Sequence, residues 1–126
     1  MNSNSLDDLP DATHVVRAGL LKVDDLLVAT EISRARFGNY SLSIFTVPDS
    51  SPSEIAEIAN RPHTYYRSTT LGALRTAGIR IENWDRSTGH ASIVFADRPT
   101  RQELRRLVSL FDSPELNPAR REGRED

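Results

Sequence analysis

The stretch Thr64–Arg86, TYYRSTTLGALRTAGIRIENWDR, constrains the fold more than any other part of the chain. It specifies a strand, a sharp turn, a short helix and a second strand, with a signal at each junction. Tyr65, Tyr66 and Arg67 favour extended backbone, because aromatic rings pack well on a pleated surface. Thr69 or Thr70 can cap a helix by accepting from the free amides of its first turn. Leu71, Leu74 and Arg75 then share a face at i, i+3 and i+4. Gly78 ends the helix, since glycine enters the left-handed region without the steric cost other residues meet. Ile79 and Ile81 alternate with Arg80 and Glu82, as a strand with one buried face does. The unit is architectural and carries no catalytic signature.

The flanking segments read in the same way. His14–Leu21 is an expected strand, with Gly19 marking a bend, and Asp24 or Asp25 caps a helix running to about Phe37. Val28, Ile32 and Ala35 form the expected inner stripe of that helix. Tyr40–Val47 alternates, Leu42 and Ile44 against Ser41, Ser43 and Phe45, and Pro48 closes it. Ser51 and Glu54 make a capping box for a short helix that buries Ile55, Ile58 and Ala59. Beyond Trp84, the loop Asp85–Gly89 suits a hairpin, with Ala91, Ile93 and Phe95 inward on the returning strand. Thr100 and Glu103 open a last helix whose stripe is Leu104, Leu107, Val108 and Phe111. The order β-α-β-α-β-α-β-β-α predicts an α+β, α/β-like domain: a small mixed sheet of about five strands, some of them parallel, packed by helices. The predicted boundaries are a flexible arm over residues 1–13, one domain over 14–112 and a tail over 113–126.

A chain of 126 residues can bury a core without staples, and it contains no cysteine to cross-link or ligate a metal. It shows no secretory signal and no apolar segment long enough to span a bilayer, so the expectation is a cytoplasmic protein without a membrane partner. The net charge of −2 hides an uneven spread. Residues 1–60 carry four basic side chains against nine acids, whereas residues 61–106 carry nine arginines against four acids. Such a basic region could meet RNA or another polyanion, with Arg61, Arg67, Arg101 and Arg105 as binding candidates; alternatively the two halves neutralise each other within the fold.

Chemistry is sparse. His14, His63 and His90 precede or open three expected strands, but none has a metal-ligand spacing, and no metal or cofactor is implied. His90-Ala91-Ser92 resembles the H-x-S/T element of two-histidine phosphoesterases, yet neither His14-Val15-Val16 nor His63-Thr64-Tyr65 supplies the required second copy. His14-Val15-Val16-Arg17 resembles the opening strand of ADP-ribosyl transferases, without an evident catalytic glutamate to follow. The best catalytic set is His63, Tyr65 and Arg67 with His90: histidine and tyrosine move protons, and arginine stabilises phosphorane-like charge, as in metal-free ribonucleases. Against it stands a plain strand whose tyrosines alternate between core and surface.

From YRSTTLGALRTAG through GHASIVF to LVSLFDSPELNP, and loosely back to HVVRAGLL and YSLSIF, the chain is similar to small uncharacterised actinobacterial proteins. Such proteins often occur in compact gene pairs, so the resemblance implies a toxin–antitoxin or mobile-element component. The expected function is therefore a small interaction protein that binds a partner protein encoded nearby. A ribonuclease-like toxin and a nucleic-acid-binding module are the alternatives.

Overall fold

The computed structural model describes residues 5–59 and 64–117. Six strands form one sheet: β1 (His14–Ala18), β2 (Tyr40–Thr46), β3 (Tyr65–Thr70), β4 (Ile81–Glu82), β5 (His90–Phe95) and β6 (Glu115–Leu116). Four helices accompany them: α1 (Val23–Phe37), α2 (Pro52–Ala59), α3 (Leu71–Thr76) and α4 (Arg101–Ser109). The strand order is β4-β5-β2-β1-β3-β6. The α+β class expected from the sequence is the observed one, but all the ladders are antiparallel. The topology explains why the expected parallel pairs are missing. Helices do carry the chain between strands of the same direction, β2 to β3 and β3 to β4, as helical crossovers should. β1 lies between the first pair, and β1, β2 and β5 lie between the second, so same-direction strands never touch. α1 leaves β1 and returns the chain antiparallel beside it, acting as a long hairpin connection.

The sheet has a core on each face. On one, Val15, Leu42, Ile44, Ala91 and Ile93 meet Leu26 of α1, Leu71 and Leu74 of α3, Leu104 and Leu107 of α4, and Phe111. On the other, Val16, Phe45 and Tyr66 pack under Ile55 and Ala56 of α2. Leu74, Ile93, Leu107 and Phe111 are buried as their periodicity predicts, and Ile81 packs partly buried against the same cluster. Both capping boxes form. Ser51 N–H donates to Glu54 Oε1 (2.9 Å), and Glu103 N–H donates to Thr100 Oγ1 (3.1 Å) while Thr100 N–H donates to Glu103 Oε1 (3.0 Å). Gly78 takes φ +75° after α3, and Gly89 takes φ +80° where a Cβ would lie 2.8 Å from Val47 Cγ2.

Three expectations differ. First, the buried stripe of α1 is not the expected one: Leu26, Thr30 and Ser33 are buried with Val23, Leu27 and Ala29 packed against the core, whereas Val28, Ile32 and Ala35 are exposed. Thr30 can be buried because its hydroxyl donates to Leu27 O (2.8 Å), and Ser33 because it bonds Ser41. Ile58 of α2 likewise faces outward.

Second, the segment expected as an arm is docked from Leu6 onward. Leu9 is in the core, and Arg75 donates to Leu6 O, Leu9 O (both 2.9 Å) and Asp11 Oδ1 (2.7 Å). Leu71 N–H donates to Thr13 O and Gly72 N–H to Asp11 O (both 2.9 Å), while Ala73 N–H uses Thr70 Oγ1 (3.2 Å). The segment thus satisfies amides that begin α3, which would otherwise be left without partners.

Third, the expected tail contributes β6 and the buried Asn117. Asp112 N–H donates to Ser68 O (2.7 Å), and Asn117 N–H donates to Thr64 O (2.8 Å).

Candidate functional site

Arg61 and His63 lie outside the described residues. The other catalytic candidates do not meet. Tyr65 and Arg67 belong to β3 and His90 to β5, with β1 and β2 between them, roughly 14 Å across three strand spacings. They also occupy opposite faces. Arg67 stands opposite Arg17, on the face of Val15 and Thr69, while His90 stands opposite Phe45 on the other.

Arg67 is tied to the fold. Its guanidinium donates to Asp112 O (2.7 Å), Phe111 O (3.2 Å) and Leu20 O (3.4 Å), carbonyls that end α4's extension and begin the link into α1. Tyr65 is part exposed and pairs with Leu116. Tyr66 is the core residue of the pair, and its hydroxyl donates to Glu115 Oε2 (2.8 Å). Burial, then the Glu115 hydrogen bond and charge, pushes its phenol up to about 12.

Three of the nine arginines of the basic region pair with acids of the acidic one. Arg75 pairs with Asp11 (2.7 Å), Arg98 with Glu31 (2.8 Å) and Arg101 with Asp24, each joining residues 61–106 to residues 1–60. Arg101, a binding candidate, is therefore an ion-pair partner of α1, while Arg105 is exposed on α4. The mutual neutralisation weighed from composition accounts for part of the asymmetry.

The polar side chains that do converge lie on the face bearing His90. β1 and β2 are registered at Val15–Thr46 and Val16–Phe45, beyond which Arg17 reaches across to donate to Ser43 O (2.7 Å). β2 and β5 stay paired further, placing Ser43 directly opposite Ser92. α2 covers this face at Phe45, next to which the serines begin. The result is a cleft of about 690 Å³ between the C-terminal half of α1 and the sheet. Its polar wall includes Ser41, Ser43, Ser92 and His90, with Arg17 and Arg36 at its sides. Ile32 and Phe37 supply apolar surface. His90 Nε2 lies 3.1 Å from Ser43 Oγ, and the imidazole meets Phe45 edge-on with centroids 5.5 Å apart. Among the described residues, the ionisable side chains lining the cleft are Arg17, Arg36 and His90, with no carboxylate.

Of this cleft, sequence reasoning singled out His90 and missed the rest. The signal was present in part, because Ser41 and Ser43 alternate away from Leu42 and Ile44. Recognising a site needed the β2–β5 register, which sets Ser43 beside Ser92, and the placement of α1, which brings Arg36 to the same cleft.

A second surface feature adjoins the cleft. Val28 is 58% exposed and Ile32 49%, one turn apart on the outside of α1, with Ala35 completing the ridge. The Glu31–Arg98 and Asp24–Arg101 pairs connect α1 to α4 and its N-terminal approach. Together fold and surface define a small α+β domain with a cationic polar cleft beside an apolar helix ridge. No family model, curated protein or solved structure matches the chain.

Proposed function

We propose that the chain is a small interaction protein that docks on a partner polypeptide through the outer ridge of α1. The observation that carries this reading is the apolar row that α1 leaves on its exposed side. The helix buries Thr30 and Ser33 while presenting Val28, Ile32 and Ala35 to solvent. A surface helix gains by turning its apolar stripe inward, and a contiguous outward stripe suits a protein contact. Charged side chains of the flanking pairs would form the polar rim around an apolar centre. The occupant is a partner with an apolar groove or helix face, and the resemblance to proteins encoded in gene pairs makes the product of an adjacent gene the first to test.

Two observations weigh against the alternatives. The ribonuclease-like set is divided between faces and Arg67 is held by backbone carbonyls; three arginines of the basic region are bound to acids of this same chain. The test is co-expression with the adjacent gene products, comparing wild type with Val28→Glu/Ile32→Glu. Co-purification of wild type, lost in a variant of unchanged melting temperature, is the expected result. A complex that survives the double variant, or no complex with wild type, defeats the reading. Light scattering that shows a wild-type dimer broken by the same variant would assign the ridge to a second copy instead.

A further inference from the structure

We infer that the cleft between α1 and the β2–β5 ladder binds a small organic phosphate, a phosphate monoester with an apolar or aromatic body. The cleft adjoins the ridge proposed above as a docking surface and shares Ile32 with it, but its polar wall is distinct from that ridge. Four features carry it.

The first is the sign of the charge. Although the chain has a net charge of −2, the ionisable groups lining this cleft are two arginines and a histidine. With no carboxylate among the described residues that line it, the field of these groups favours an anion. The second is the donor set. Ser43 and Ser92 are directly opposed on adjacent antiparallel strands, so their hydroxyls point to the same side of the sheet. His90, two residues before Ser92, joins that side with Nε2 3.1 Å from Ser43 Oγ. A phosphate monoester presents three terminal oxygens, which such a cluster of hydroxyls, imidazole and guanidinium can share.

The third feature is Arg36. Among the described residues its guanidinium has no ion pair or hydrogen bond, whereas Arg98 and Arg101 are paired with Glu31 and Asp24 of the same helix. A planar fork at the mouth of the cleft can take two phosphate oxygens at once. The fourth is size and lining. About 690 Å³ lies within the range of small-molecule sites, and Ile32, Leu42 and the 74%-exposed Phe37 provide a surface for the organic part. Phe37, on the last turn of α1, can stack on a planar ring. Phosphate would therefore sit against the serines, with the body directed along α1.

The experiment is a calorimetric and ¹H–¹⁵N NMR titration with adenosine 5′-monophosphate, adenosine and inorganic phosphate, on wild type, Arg36→Ala and Ser92→Ala. Arg36 is exposed and without a partner among the described residues, so its variant should keep the melting temperature. Expected are saturable binding of the monophosphate, shifts centred on residues 36–43 and 90–92, and displacement by inorganic phosphate. Adenosine should bind at least about tenfold more weakly, and Arg36→Ala should weaken the monophosphate by a similar factor, the size of one lost charged hydrogen bond. Absence of monophosphate binding, equal binding of adenosine, shifts elsewhere, or affinity unchanged in both variants would overturn the inference. Tighter binding of a phosphoserine peptide than of the monophosphate would overturn the assignment to a small molecule.

Discussion

Tyr66 and Arg67 are adjacent, yet the alternation of a strand gives them unrelated tasks. The Tyr66 phenol is buried against α2's core and bonds Glu115, so its ionisation is deferred to about 12. An ordinary tyrosine in the unfolded chain ionises near 10. The stability this contributes is complete below pH 10 and is lost as pH rises from 10 through 12. Absorbance titration should therefore show one of the three tyrosines ionising late, and Tyr66→Phe should remove that late step. Arg67, facing the other way, bonds carbonyls of Leu20, Phe111 and Asp112. Arg67→Ala should cost about 1–2 kcal/mol in denaturant melts, because charged hydrogen bonds to three backbone carbonyls are lost. Arg67→Lys should recover only part, since an ammonium cannot reproduce the fork. Expression of Arg67→Ala in a bacterial host provides a functional check: the expected signature is lower soluble yield without any change in RNA integrity.

At the level of elements, several local signals were legible where one residue decides a local geometry. The expected Asp24 or Asp25 cap of α1 is not one, since the helix starts at Val23 after an uncapped Lys22. Thr70, Gly78, Ser51–Glu54 and Thr100–Glu103 each mark a boundary through a hydrogen bond or a dihedral that neighbours alone can satisfy. Thr100→Ala should cost about 1 kcal/mol and leave the fold unchanged by circular dichroism. The inner face of α1 was illegible because apolar residues lie on two of its sides, and only Ser41 and the Leu27 carbonyl explain how Ser33 and Thr30 can be buried. The docking of residues 6–13 was equally hidden, since it depends on α3 amides some sixty residues away. The candidate cleft failed for the same reason: His90 was visible as a residue, but Ser43, Ser92, Arg17 and Arg36 became a site only through strand register and helix placement. One consequence reverses the expectation of a dispensable arm. Leu9→Ala should cost about 2–4 kcal/mol, measured by urea unfolding, and deleting residues 1–12 should lower the melting temperature markedly.

Across the whole molecule, the acidic and basic halves of the sequence are interleaved by Arg75–Asp11, Arg98–Glu31 and Arg101–Asp24. All three pairs are largely solvent-exposed, so each contributes between nothing and about 1 kcal/mol. Raising sodium chloride from about 0.1 to 1 M should accordingly shift the urea midpoint only slightly, although it screens these pairs. A large loss of stability would mean that the pairs act as a network. The strand order carries one more consequence. Both borders of the sheet, β4 and β6, are two residues long, while the longer strands β1, β2, β3 and β5 are enclosed between them. An incoming strand that tried to lengthen the sheet would find only a few unmatched amides and carbonyls before the backbone turned away. The native molecule therefore resists fibre growth through its own margins, and aggregation, where it occurs, should first require β4 or β6 to detach and expose the long strand behind it.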